Sequence, residues 1–262
     1  MEQELLHTLF IALVAGAVSL STLFSGFGLG TLLLPAFALF FPAPVAVALT
    51  AIVHFLNNLF KWVLLGRYTN WSVVARFGLP AILAAALGAW TLGQMSHLSP
   101  IYQYRFLGKE HQVFPVNVLI GLLMLAFALV ELTGLLREQH LPARWLPLGG
   151  LLSGFFGGLS GHQGALRSAF LLHAGLEKEA YIATGVTIAC LVDVVRISIY
   201  SSTLLMETLH QHALLMVTAV GSAFLGAFVG ARLLRKVTFR LVRRIVSVFL
   251  IGIALGLIAG FV

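Results

Sequence analysis

The chain has 262 residues, of which 60% are hydrophobic and only 10% are charged, and its formal net charge is +7. A soluble domain carries about 25% charged residues, so this composition excludes a soluble fold and indicates an integral membrane protein. The positive charge requires no nucleic acid, because basic loops also set topology and contact anionic lipid. The sequence contains no Walker phosphate-binding loop, which excludes ATP hydrolysis as the energy source.

Eight apolar windows follow one another along the chain. Six of them are 21–25 residues long, which suits helices that cross a hydrocarbon core of about 30 Å. The first and fifth are longer, and each is interrupted by glycine. The windows are 8–40, 43–65, 72–94, 114–136, 145–174, 179–203, 209–233 and 241–261.

The glycine clusters break the first and fifth windows near their middles. In a membrane, a broken helix survives only where it packs in protein or lines a polar cavity. A helix N-terminus offers unpaired N–H groups and about half a positive charge. Two such termini predict a cradle for a small oxyanion, and the alternative is that the glycines permit close helix packing or a kink. The expected substrate-binding residues are Ser25, Gly26, Gly28, Gly30, Ser160, Gly161, His162, Gln163 and Gly164.

A polar stripe runs along the second window. His54, Asn58 and Lys61 stand at i, i+4 and i+7, and Asn57 lies four residues before Lys61, so these side chains share one region of a helix. The stripe predicts a substrate-binding face that lines a cavity. Two alternatives remain open: an interhelical hydrogen bond for His54 and Asn58, and an interfacial anchor for Lys61.

Ionisable groups also lie inside the later windows. Asp193 and Arg196, spaced i, i+3, predict an ion pair in which Asp193 couples protons and Arg196 binds the anion. Arg167, one turn past Gly164, is expected to bind oxyanion oxygens. The alternatives are a purely structural ion pair, and for Arg167 a contact with lipid phosphate or a carboxylate.

The two halves of the chain resemble each other. Asn58-x-x-Lys61 corresponds to Asp193-x-x-Arg196 at an offset of 135 residues, and the glycine clusters correspond at 134. If both broken windows are helical hairpins, each half has three spans, and an odd number inverts the second repeat. We therefore predict an all-α integral membrane protein of two inverted repeats, 1–136 and 137–262. The alternative is eight full spans with kinked first and fifth helices.

The glycine-rich segments 26–30 with Pro35, 153–158 and 160–164 resemble the paired glycine signatures of the TauE/SafE family. The resemblance implies a secondary transporter of a small organosulfur or sulfur oxyanion, such as sulfite, a sulfonate or thiosulfate, in the bacterial inner membrane. His162, Gln163, Arg167 and Ser168 depart from the family pattern, which points to an atypical substrate. Membrane lipid, coupled protons and a second copy of the chain are the other partners considered.

The sequence shows no nucleophile and base in register, and no metal or other cofactor is assigned. We therefore expect a protein that is not an enzyme. An intramembrane enzyme and an assembly or scaffold subunit remain the alternative functions.

Overall fold

The computed structural model describes residues 2–25, 29–134, 142–201, 206–233 and 239–262, and most of these residues are helical. The helices are α1 (Glu2–Ser25), α2 (Leu29–Ala38), α3 (Ala43–Leu65), α4 (Trp71–Val73), α5 (Leu79–Ser96), α6 (Pro115–Thr133), α7 (Leu146–Ser160), α8 (Gln163–Leu171), α9 (Lys178–Tyr200), α10 (Met206–Gln211), α11 (Ala213–Leu233) and α12 (Phe239–Ala259). A π-helical turn over Val74–Gly78 joins α4 to α5.

Four helices of the described residues are long and apolar enough to cross a membrane: Ala43–Tyr68, Trp71–Ser96, Lys178–Tyr200 and Ala213–Gly230. Shorter apolar helices lie within α1, α6 and α12. Helix α12 carries Arg240, Arg243 and Arg244 in its first turns. These helices agree with the prediction of a helical, multi-pass membrane protein.

The chain folds back on itself after both glycine-rich breaks. A methyl group built on Gly149, near the start of α7, would overlap the ring of Phe170, near the end of α8. Likewise the His7 ring of α1 stacks on Phe40, just after α2, with centroids 4.1 Å apart. In each pair the end of the second helix therefore lies beside the start of the first, and we call each such antiparallel pair a hairpin.

The two hairpins open toward opposite ends of the molecule. At the open end of α1–α2, the ring of Phe41 contacts His212, with centroids 5.0 Å apart. At the open end of α7–α8, Phe170 contacts Phe77, with centroids 6.5 Å apart. Because α3 leads from Phe41 toward the turn that holds Phe77, these contacts lie at its two ends.

Several glycines outside the predicted anion cradle serve close helix packing. Helix α7 packs on α5, and α11 packs on α1. At both interfaces a methyl group built on the glycine would overlap the backbone of the facing segment. A glycine every fourth residue keeps one helix face free of side chains, so that two backbones approach. These glycines are Gly150, Gly154 and Gly158 of α7, facing Phe77, Ala81 and Ala85, and Gly226 and Gly230 of α11, facing Gly16 and Leu20.

A small antiparallel sheet lies between α5 and α6 of this otherwise helical protein. Strand β1 (Tyr102–Phe106) pairs with β2 (Lys109–Val113) across a turn in which Leu107 and Gly108 have positive φ of 48° and 80°. The Tyr104 hydroxyl donates to the Ala259 carbonyl oxygen at 2.6 Å, which fastens the sheet to the end of α12. The sequence analysis treated this interval as a loop between two apolar windows.

Candidate functional site

Asp193 is the centre of a buried polar cluster. Its carboxylate, 0% exposed, accepts hydrogen bonds from Arg196 Nε at 2.8 Å and from Gln163 Nε2 at 3.0 Å. His54 Nδ1 lies 2.6 Å from Asp193 Oδ2. Since a carboxylate only accepts, Nδ1 of His54 carries the proton. These bonds join α3, α8 and α9, and they confirm the predicted contact between Asp193 and Arg196.

Arg196 also binds the end of α7. Its Nη1 donates to the Gly157 carbonyl oxygen at 3.0 Å. Tyr200, one turn of α9 after Arg196, donates its hydroxyl proton to the Gly158 carbonyl oxygen. The last carbonyls of a helix lack partners within the helix and attract cations. Arg196 therefore holds α7 against α9 as well as pairing with Asp193. Its Nη2 lies 2.8 Å from Asp193 Oδ1 without hydrogen-bond geometry to any described residue.

Arg167 extends the cluster along α8. It is 8% exposed, and its Nη1 donates to Gln163 Oε1 at 3.0 Å. Gln163 thus links Arg167 to Asp193 through its two amide atoms. The guanidinium of Arg167 contacts no carboxylate within hydrogen-bonding distance among the described residues.

The predicted polar stripe of α3 faces this cluster. The Asn58 amide nitrogen lies 3.1 Å from the His54 ring nitrogen atoms. Lys61 is 5% exposed, and no described residue forms a hydrogen bond or ion pair with its ammonium group. That burial argues against the alternative in which Lys61 is an interfacial anchor.

The two glycine-rich breaks meet beside His54. A methyl group built on Gly30, in the first turn of α2, would lie 3.3 Å from the Gly161 carbonyl oxygen and 3.6 Å from His54 Cδ2. Gly161 has a φ of +80° and ends α7, with its N–H donating to the Gly157 carbonyl oxygen. Gly164 is buried in the first turn of α8.

Three predicted site residues at the first glycine-rich break are not described in full. Gly26 and Gly28 fall outside the described residues, and Ser25 is the last residue of α1, where only the backbone is described. Nothing in the structure bears on their predicted binding role.

The structure places Asn57, Ser160 and His162, three other predicted site residues, away from Asp193. Asn57 accepts a hydrogen bond from Ser19 Oγ of α1 at 2.8 Å. His162 stacks on Phe127 of α6, with centroids 5.2 Å apart, and its Nδ1 lies 3.0 Å from Ser160 Oγ. Each of these side chains contacts a neighbouring helix or turn instead of the central carboxylate.

Two residues of the site were not predicted from the sequence: Tyr200, which donates to the Gly158 carbonyl oxygen, and Ser19, which donates to Asn57. Tyr200 lies four residues after Arg196, so helical spacing could have identified it. Ser19 carries no such signal, because its contact with Asn57 depends on how α1 packs against α3.

The buried charges of the described residues do not balance. They comprise three cations, Lys61, Arg167 and Arg196, and one anion, Asp193. Buried charge is costly unless it is paired, so this cluster can bind an anion. A group of three His, Cys, Asp or Glu side chains that could hold a metal ion is not found among the described residues.

Ionisable residues buried between the helices of a multi-pass membrane protein are typical of membrane transporters. The sulfite exporter TauE/SafE family matches residues 9–257, and the chain belongs to this family. The family match confirms the predicted membrane transporter and its family. No curated protein matches the sequence.

Proposed function

We propose that this protein is a secondary transporter that carries a small sulfur oxyanion, such as sulfite, thiosulfate or a sulfonate, across the bacterial inner membrane. The observation that carries the proposal is the buried cluster with three cations and one anion where the two glycine-rich breaks meet. The family match supports a sulfur anion as its cargo.

In this proposal the anion binds between α3, α8 and α9. Arg167 and Lys61 supply positive charge, and Gln163 and the first N–H groups of α8 supply hydrogen-bond donors. The Asp193–Arg196 pair keeps the three helices in position. Substrate can also compete with Asp193 for the unbonded Nη2 of Arg196.

Asp193 and His54 are the proposed proton-coupling groups. With Nδ1 of His54 donating to Asp193, Nε2 accepts from the Asn58 amide. A second proton can bind at Nε2 when that amide turns its oxygen toward the ring. A proton taken up there adds positive charge beside the anion. Release of substrate and proton toward the same side would then couple the two fluxes.

We further propose that 1–136 and 137–262 are inverted repeats. Support comes from reciprocal packing: α1 of the first half packs on α11 of the second, and α7 of the second half packs on α5 of the first. The remaining long helices pair across the halves, α3 with α9 and α6 with α12. Three spans per half and hairpins that open at opposite ends fit this plan.

The hairpin arrangement predicts which positions share a side of the membrane. In a Cys190→Ala background, Glu4→Cys and Leu39→Cys should both label from the periplasm with an impermeant thiol reagent. Labelling of the two cysteines from opposite sides would mean that the first window spans the membrane completely.

Uptake into proteoliposomes tests the proposed cargo. Purified protein should carry radiolabelled sulfite, thiosulfate or a sulfonate faster than protein-free liposomes do, and an imposed pH gradient should change the rate. Rates equal to those of protein-free liposomes for every sulfur anion would contradict the proposal.

A further inference from the structure

Lys61 has no partner in the described part of the chain. Its side chain is 5% exposed, yet no described residue forms a hydrogen bond or ion pair with it. A largely buried lysine carries positive charge into a low-dielectric region, where a nearby negative charge stabilises it. An anion placed beside Lys61 would supply the counter-charge that the described residues do not.

Arg167 is the second cation without a carboxylate. Its recorded side-chain hydrogen bond goes to the neutral amide oxygen of Gln163, whereas Asp193 is already bonded by Arg196, Gln163 and His54. Lys61 lies on α3 between His54, which contacts Asp193 of α9, and the segment in which Thr69 contacts Thr187 of α9 at 2.9 Å. The Arg167 Nε lies 3.7 Å from a methyl group built on Gly185 of the same helix. Two adjacent buried cations therefore face one region, and one ligand can neutralise both.

We propose that Lys61 and Arg167 form a subsite for a divalent oxyanion, separate from the Asp193–Arg196 pair. This inference rests on the proposed function and narrows its substrate class. Because Asp193 balances Arg196, two positive charges remain uncompensated among the described buried groups. A dianion balances both, while a monoanion leaves one charge buried and unpaired.

The position of the two side chains fits such a ligand. Lys61 lies seven residues after His54 on α3, two helical turns away on the same face. Arg167 reaches the subsite from the next turn of α8 after Gln163. A guanidinium binds two oxygens of an oxyanion at once, and the ammonium binds a third as a point charge.

Sulfate and methanesulfonate form a matched pair of probes, because a methyl group replaces one oxygen and removes one charge while the tetrahedral shape is kept. Thiosulfate and sulfite at mildly alkaline pH extend the dianion set. Calorimetric titration of the purified full-length protein should show at least about tenfold tighter binding for a dianion of this set than for methanesulfonate.

Variants at Lys61 should change this preference specifically. Lys61→Gln should reduce the dianion-to-monoanion affinity ratio by about tenfold, and Lys61→Arg should retain the ratio. Arg67→Gln is the matched control: it removes one charge near the end of the same helix at an exposed position, so the ratio should stay within about twofold.

The outcomes separate this inference from the function on which it rests. Equal or tighter binding of methanesulfonate by wild-type protein would overturn the dianion subsite and leave the transporter proposal standing. An unchanged ratio in a folded Lys61→Gln protein would overturn the role of Lys61. Failure to bind any sulfur anion would contradict the proposed function itself. The dianion-to-monoanion affinity ratio of the wild-type protein is measured without any variant. The dianion preference can therefore be tested even if Lys61→Gln folds poorly.

Discussion

The buried cluster has two regions that differ in how its charges are balanced. Around Asp193, the charged groups are paired: Arg196, Gln163 and His54 all contact the carboxylate. Around Lys61 and Arg167, two buried cations lack a carboxylate among the described residues. The first region holds helices together, and the second is the proposed anion site. In this proposal, comparable residue types serve stability in one place and recognition in the other.

This difference decides what each substitution should affect. A buried pair whose partner is removed leaves an uncompensated charge, which destabilises the fold. A cation without a partner already costs free energy to bury, so replacing it with a neutral residue removes that cost. Variants of the paired region should therefore lower stability, and variants of the open region should lower anion affinity.

The largest effect is expected for Asp193→Ala. Without the carboxylate, Arg196, His54 and Gln163 all lose a hydrogen-bond acceptor, and the charge of Arg196 stays buried. The loss should be about 3–5 kcal/mol of unfolding free energy, measurable by denaturation of the purified protein. A loss below about 1 kcal/mol would show that the pair contributes little to folding.

Arg167→Gln should have a smaller effect on stability and a clear effect on binding. We expect at least about tenfold weaker anion affinity, with unfolding free energy within about 1 kcal/mol of wild type because no ion pair is broken. Arg144→Gln, at an exposed position, is the control for general charge effects. Equal affinities of the two variants would remove Arg167 from the binding site.

The smallest effect is expected for Tyr200→Phe. This change removes the hydroxyl that donates to the Gly158 carbonyl oxygen and leaves the ring packed. Unfolding free energy should fall by about 1 kcal/mol, while anion affinity and flux should stay at wild-type values. A large loss of affinity without a loss of stability would place Tyr200 in the binding site and blur the boundary between the two regions.

The sequence predicted the parts of the site that depend on spacing within one helix. Asp193 and Arg196 at i, i+3 do meet, and the stripe of His54, Asn58 and Lys61 does face the cluster. The glycine breaks also indicated where the first and fifth apolar windows are interrupted, because broken backbone in a membrane must pack or line a cavity.

What the sequence could not predict depends on packing between distant elements. Asn57 lies next to Asn58 in sequence but faces Ser19 of α1, and a rotation of 100° per residue around a helix is enough to separate them. The glycine signature combined two roles that only the fold distinguishes. Gly30 and Gly161 lie at the breaks, whereas Gly154 permits close contact of α7 with α5.

The most direct test of the central claim, that the anion crosses through this cluster, is sulfite counterflow in proteoliposomes at mildly alkaline pH. Liposomes loaded with unlabelled sulfite should transiently accumulate external radiolabelled sulfite through wild-type protein. A Lys61→Gln/Arg167→Gln double variant should lose at least about nine-tenths of this accumulation, while an Arg67→Gln/Arg144→Gln double variant should retain it. Wild-type counterflow by the first double variant would show that the anion crosses elsewhere and would contradict the account.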